Sequence, residues 1–374
     1  MNRVRVAVIG AGHLGKIHTR LLHSQPDQVQ LVGVADPSPE AQRAVLNQAE
    51  IQVVSDYRKL IPEIDAAIIA TPTRFHHAVA MDLLQNGIHT LIEKPLTDSV
   101  ADAEELVEVA QSNDCVVQVG HVERFNPAIA TALRQVGTPK FIQASRTSTY
   151  TFRSTDVGVV HDLMIHDIDL VNSMFAGTMT ESRAVGISVF GHHEDTAQAR
   201  LEFSCGGVAN ITASRCSFSP ERTIQIFGTD GFAAVNLADS TITAVRIPSW
   251  LRQREYDVLQ TTPEQQAWIR EQLFQSVLKK KEIAVPTTNA ILCEQQDWIE
   301  SIQNGTTPQV SVQQGAEAVA IAESVLDQIN THRWSDTELR MTGPTPTLEP
   351  TDIVDEIPVD ITRPEVSQPT RKAA

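Results

Sequence analysis

Residues 4–15 read VRVAVIGAGHLG, and this stretch restricts the fold more than any other part of the chain. Val4, Val6 and Val8 with Ala7 and Ile9 form a nearly continuous apolar run, the pattern of a parallel strand buried on both faces. The run stops at Gly10. Gly10, Gly12 and Gly15 then give G-x-G-x-x-G, and Leu14, Ile17, Leu21 and Leu22 recur at helical spacing, so the glycines sit on a strand-to-helix turn. In that setting the first glycine allows the tight turn, the second lets backbone N–H groups approach a pyrophosphate, and the third lets helix and strand pack closely. The turn, with His13 and Leu14, would then present a helix N-terminus to the phosphates. The alternative is a glycine turn that binds nothing.

A dinucleotide site also needs a carboxylate at the end of the next strand. Residues 30–35 (QLVGVA) supply that strand and Asp36 its tip. Asp36 can accept hydrogen bonds from the adenosine ribose and would repel a 2′-phosphate. No basic residue follows at Pro37 or Ser38, so the cofactor reads as NAD rather than NADP.

The 374 residues suffice for two domains of ordinary size. A formal net charge of -16 argues against nucleic acid or an anionic membrane surface as the main partner, since both are bound through Lys and Arg. Cys115, Cys205, Cys216 and Cys293 show neither C-x-x-C nor metal-type spacing, as for reduced packing thiols in a cytoplasmic protein. Strand one begins within four residues of the N-terminus and no apolar run approaches membrane-spanning length, so neither signal peptide nor anchor is expected.

Strand and helix patterns alternate through the first third, with strands at 51–54, 66–70, 89–92 and 116–119 and helices at 79–85 and 100–112. This predicts a doubly wound parallel (Rossmann) sheet over residues 1–120. Short strands at 140–152, 183–190, 197–203, 207–216, 223–227, 233–236 and 242–247 then predict an open, mainly antiparallel sheet, making the whole α/β plus α+β. Helices are expected near 127–135, 159–175, 263–280, 289–303 and 313–329, completing a second domain over 121–340. Residues 341–374 carry prolines at 344, 346, 350, 358, 364 and 369 and few large apolar residues, which predicts a mobile tail. Docking of Ile353, Val354, Ile357 and Val359 as a strand on a neighbour is the alternative.

Three stretches offer reactive groups. Thr71, Pro72 and Thr73 follow the fourth strand, with His76 close behind; they read either as the nicotinamide side of a cleft or as a helix-capping turn. Glu93-Lys94-Pro95 follows the fifth strand, where a partly buried lysine beside oxidised nicotinamide would have a lowered pKa and could exchange protons. Pairing of Lys94 with Glu93 or a surface carboxylate is the competing reading. In GVVHDLMIHDIDL (158–170) a helix would place Asp162, His166 and Asp169 on one face, a histidine beside carboxylates suited to general-base work at neutral pH. A metal site ranks below this because no second cluster completes a coordination sphere, and a capped helix with a satisfied polar face competes with both.

In order along the chain, VIGAGHLGKIH, ATPTRFHHAVA, GIHTLIEKPL, the Asp162-x3-His166-x2-Asp169-Leu170 pattern, IFGTDGFAAVN and the closing helices resemble the Gfo/Idh/MocA oxidoreductases over nearly everything up to about residue 330. The resemblance implies NAD(P)-dependent hydride transfer at a sugar or cyclitol carbinol, with Lys94, Asp162 and His166 in the catalytic positions. It also implies a homo-oligomer, dimer or tetramer, formed through the second domain's sheet. The family's glycine-rich run before the catalytic aspartate is reduced here to Asp156-Val157-Gly158, and His161 stands where an apolar residue is common. Together with GHVERFNP (120–127), these departures look more like the branch that oxidises UDP-N-acetylglucosamine at C3 in building diamino lipid A sugars. His121, Arg124 and Asn126 would then meet substrate hydroxyl or phosphate oxygens; otherwise they form an inter-domain hinge with an Arg124–Glu123 ion pair. An inositol or free-sugar dehydrogenase, and a non-catalytic NAD-bound sensor or assembly subunit, are the remaining readings. The exchange of roles between Lys94 and His166 also stays open.

Overall fold

A computed structural model describes residues 3–46, 51–152, 157–190, 192–286, 288–334 and 343–344. The first sheet is built from β1 (Val4–Ile9), β2 (Val29–Ala35), β3 (Gln52–Val54), β4 (Ala66–Ile69), β5 (His89–Glu93) and β6 (Val117–Gly120), in the order β3-β2-β1-β4-β5-β6. Every pairing in it is parallel. Its crossovers are α1 (His13–His23), α2 (Pro39–Leu46), α3 (His76–Gln85) and α4 (Val100–Ser112). The order reverses between β1 and β4, and there the carboxyl ends of the strands open a crevice.

α5 (Pro127–Val136) leads into the second sheet, formed by β7 (Pro139–Thr147), β8 (Met179–Ile187), β9 (Thr196–Phe203), β10 (Val208–Ser214), β11 (Glu221–Gly228), β12 (Gly231–Asn236), β13 (Thr241–Arg246) and β14 (Lys280–Ala284). The order is β14-β13-β12-β11-β7-β10-β9-β8, antiparallel except where β7 and β10 run parallel. Between β7 and β8 the chain makes a π turn (Val160–Met164) that continues as α6 (Ile165–Met174). The short α7 (Ser249–Arg252) and α8 (Pro263–Gln272) precede β14. The helix expected to reach residue 280 ends earlier, because a second π turn at Leu273–Val277 breaks it and Lys280–Ala284 joins the sheet edge against β13. Lys280, Lys281 and Glu282 are exposed along that strand and Ile283 is half-buried, an edge pattern too polar to stand out in the sequence.

Period-2 alternation gives the second sheet one buried face, with Ile142 and Ala144 of β7, Ile224 and Ile226 of β11 and Ala209 and Ile211 of β10 packed under α5 and α6. α9 (Ala290–Asn304) and α10 (Val312–Thr331) join the two halves. Trp298 and Ile299 pack with Val4, Val6 and Val8 of β1, while α10 lays Val319 on the first core and Ala322, Val325 and Ile329 on the second. Of the expected tail, all but Gly343 and Pro344 lies outside the described residues. Among the described residues no helix is long and apolar enough to cross a membrane.

Candidate active site

The glycine turn is built as its spacing requires. Gly10 has φ +99, and a Cβ there would run into the Ala70 carbonyl; one on Gly15 would run into the Gly10 carbonyl. Around Gly12, the N-cap of α1, a Cβ would meet nothing within 4 Å, which leaves the space a phosphate group needs above the helix N-terminus. Asp36 accepts hydrogen bonds from the Ala11 N–H (2.7 Å) and the Ser38 N–H (2.8 Å), so its carboxylate is tied to the glycine turn at the tip of β2. A cleft of about 620 Å³ runs from Gly10 and Gly12 past Asp36 to Thr71 and Pro72. Arg58 also lines it, but its guanidinium is held 2.8 Å from Asp82. A dinucleotide fits this donor set: open backbone at Gly12, a ribose acceptor at Asp36 and a buried Thr71 hydroxyl without a partner. His13, by contrast, is exposed on α1 beside Lys16 and Arg20 rather than in the cleft, and Leu14 is half-buried next to it.

His76, expected to touch the cofactor, is buried and bridges two carbonyls, Thr71 at 2.9 Å and Pro95 at 2.9 Å. It locks the turn after β4 to the turn after β5 and has no ring nitrogen left for a ligand. Thr73 begins a short 3₁₀ turn and makes no capping hydrogen bond.

Beyond β5 the side chains of Glu93 and Lys94 diverge. Glu93 is buried and bonds His18 Nε2 at 2.8 Å; Gln295 donates to His18 Nδ1, which leaves the Nε2 proton for the carboxylate. Burial alone would raise the Glu93 pKa, but His18 and the Lys94 charge hold it below the ordinary value. Lys94, across a cis peptide bond from Pro95, turns the other way. Its Nζ donates to the Asp162 carbonyl at 2.6 Å and lies 3.7 Å from the Asp162 carboxylate. Lys94 therefore pairs with neither Glu93 nor a surface carboxylate. Burial lowers its pKa, with Asp162 and Glu93 opposing.

The π turn changes the geometry expected for 158–170. Because its hydrogen bonds run i to i+5, Asp162, His166 and Asp169 do not stack as on a plain α-helix. Asp162 faces Lys94, whereas Asp169 is buried and bonds Arg124 at 3.2 Å. Cations thus answer both carboxylates, and the three residues form no common ligand set for a metal. His166 is half-buried, its Nδ1 without a partner. Burial holds its pKa well below the ordinary imidazole value, and Lys94, Arg146, His121 and Arg222 push the same way. The histidine stands among cations, with Asp162 committed to Lys94; its neutral, proton-accepting form is the stable one.

The GHVERFNP segment differs from the expectation of three substrate contacts. His121 is buried with both ring nitrogens unpartnered, and burial lowers its pKa against the pull of Asp169. Arg124 binds Asp169 and the Gln309 carbonyl, and Asn126 caps α5 by accepting from the Ala128 N–H at 3.1 Å. Both side chains are committed to structure. Nor does Arg124 pair with Glu123: that acid goes to Arg146, whose guanidinium also grips both oxygens of Asp167 at 2.9 Å. Sequence reasoning passed over Arg146, Asp167 and His18. Arg146 follows Ile142 and Ala144 on the buried face of β7 and Asp167 lies between the buried Ile165 and Ile168 of α6, so a charge at a core-facing position was the available signal.

Residues 4–121 match the family profile described as oxidoreductase family, NAD-binding Rossmann fold, and residues 129–234 match the C-terminal domain of the same family. The UDP-N-acetylglucosamine 3-dehydrogenase of Acidithiobacillus ferrooxidans is 37% identical over 244 residues, 65% of this chain and 77% of the relative. A solved structure of that enzyme superposes with a TM-score of 0.75 at 30% identity, covering 88% of this chain and 98% of the other. The NAD(+)-dependent scyllo-inositol 2-dehydrogenase of Bacillus subtilis is 30% identical, covering 62% of this chain and 73% of the relative. A levoglucosan dehydrogenase crystallised with NADH shares the fold, with a TM-score of 0.74 over 87% of this chain and 97% of that one at 17% identity.

Proposed function

The chain belongs to the Gfo/Idh/MocA family of NAD-dependent sugar oxidoreductases, and from that premise we propose that it oxidises the 3-hydroxyl of UDP-N-acetylglucosamine. The observation that carries the substrate is the 37% identity to the enzyme of that activity. Supporting the chemistry is the contact of Lys94, at the carboxyl end of β5, with Asp162, 68 residues further on and four residues before His166.

NAD+, when bound, supplies the hydride acceptor. The chain's own residues manage the proton and the developing charge. His166, kept neutral by burial and by neighbouring cations, takes the proton from the substrate hydroxyl at its free imidazole nitrogen. Lys94, fixed by the Asp162 carbonyl, stabilises the developing oxyanion with its ammonium. Asp162 positions Lys94 and keeps it charged against the effect of burial. A ketone at C3 is the group that amination needs, which would connect this activity to diamino lipid A sugars. We also assign the outer face of the second sheet to a homo-oligomer contact.

The test is NADH formation across a panel of substrates. UDP-N-acetylglucosamine is expected to give turnover, and Lys94→Ala and His166→Ala are each expected to lower it by about two orders of magnitude or more. Turnover within tenfold of wild type in both variants overturns the catalytic assignment. Activity on free polyols with none on UDP-sugars favours an inositol or free-sugar dehydrogenase instead, the reading supported by the similarity to the Bacillus subtilis enzyme.

A further inference from the structure

Three arginines stand around the catalytic helix, and two are closed off. Arg124 is bound by Asp169 and Gln309, Arg146 by Asp167 and Glu123. The third, Arg222, is exposed at the start of β11. Among the described residues its side chain has no hydrogen bond, ion pair or ring contact. Arg222 pairs in register with Arg146 of β7, and its alternation with buried Ile224 and Ile226 puts it on the same face of the sheet, the face that carries the catalytic helix.

The nearby acids are unavailable to it. Glu221, its neighbour in sequence, lies on the opposite face, where its carboxylate accepts from Ser145 and Thr223. Asp167 and Glu123 are already held by Arg146. Arg146, directly opposite Arg222 in the sheet, holds Asp167, the residue after His166, so Arg222 stands on the side of the sheet that the His166 helix covers. A planar fork of donors, free of protein partners and open to solvent, suits a phosphate oxygen pair. A neutral polyol has no comparable group.

We propose that Arg222 is the phosphate-recognising residue of the substrate pocket, taking the diphosphate of a nucleotide sugar. The proposal rests on the nucleotide-sugar reading above and adds the residue that would distinguish such a substrate from an uncharged sugar. It also gives Arg222 the anion-binding role that the sequence had suggested for Arg124.

The experiment titrates UDP into NADH-saturated protein, wild type, Arg222→Ala and Arg222→Lys, with NADH binding measured first as the control for folding. UDP affinity is expected to fall about tenfold or more in Arg222→Ala, the scale of a lost charge-assisted hydrogen bond, and to recover in part in Arg222→Lys. Equal UDP affinity in wild type and Arg222→Ala, or no UDP binding to wild type, overturns the assignment. NADH formation from UDP-N-acetylglucosamine is measured beside it. UDP binding that depends on Arg222, without turnover of that sugar, would retire the proposed substrate and leave the phosphate-binding residue standing.

Discussion

Glu294 is buried on α9 with Oε1 unpartnered, and burial, reinforced by Glu93, raises its pKa well above 4.5. The folded chain therefore keeps a proton that the unfolded chain releases, and stability contributed at low pH is lost as pH rises above 4.5. Glu294→Gln, which cannot ionise, is expected to raise the melting temperature, and to raise it more at pH 8 than at pH 5; a larger gain at pH 5 would contradict this. The imidazoles on and beside the helix that carries His166 have the opposite sign. His121, His161 and His166 all lie below 6.5 in the fold, chiefly through burial, so their neutral forms are stable above that value and the fold weakens as pH falls through it. Each group adds a slope of about 1.4 kcal/mol per pH unit between its unfolded and folded values. Replacing His121 with Gln should flatten the decline in melting temperature between pH 7 and 5. At the cofactor end, Asp36→Ala removes the acceptor tied to Ala11 and Ser38, and a rise in the KM for NAD+ of about tenfold or more is expected, with a smaller preference over NADP+. An unchanged preference would place the ribose elsewhere.

Gly158 and Glu194 show how one element sets another. The β8–β9 connection brings the Glu194 carboxylate to the Val160 N–H at 3.0 Å, capping the π turn that carries Asp162, while burial raises the Glu194 pKa. A Cβ on Gly158 would fall on that carboxylate, so the glycine before the helix that carries His166 leaves room for a side chain 36 positions away. Gly158→Ala is expected to cost about 2 kcal/mol or more and to lower turnover beyond the loss of folded protein, both measurable by thermal melts and active-site titration with NADH. Full activity and an unshifted melt would mean that the cap yields freely. The glycine itself was legible in the sequence; its reason was not, because nothing local marks Glu194 as its neighbour. The same holds across the chain. The Gly10–Gly15 turn, the strand at 66–69 and the helix at 100–112 follow from patterns within a few residues, and periodicity exposes them. The π turn at 160–164, the polar edge strand at 280–284 and the partners chosen by Arg124, Arg146 and Lys94 depend on packing between distant segments, where period and propensity carry no information.

At the scale of the whole molecule, α10 touches both cores, so the segments that carry Lys94 and His166 are held together by one helix shared between two sheets. The second sheet, by contrast, buries one face under helices and turns the other outward. On that outer face Phe141, Phe227 and Phe232 stack in a row with ring centroids 5.7 Å apart, all half-buried, among Gln143, Thr223 and Gln225. A continuous aromatic row bordered by uncharged polar groups has the composition of an interface centre rather than of a solvated sheet face. Pairing of two such faces would bury this row while leaving the cofactor cleft, on the other sheet, free. Light scattering after gel filtration at micromolar concentration is expected to give at least twice the mass of the 374-residue chain. Phe227→Asp, which places a charge in the middle of the row, should shift the population to the monomer, with NADH affinity held within about twofold because the first sheet is untouched. A wild-type protein that runs as a monomer, or a variant that stays assembled, would move the contact away from this face.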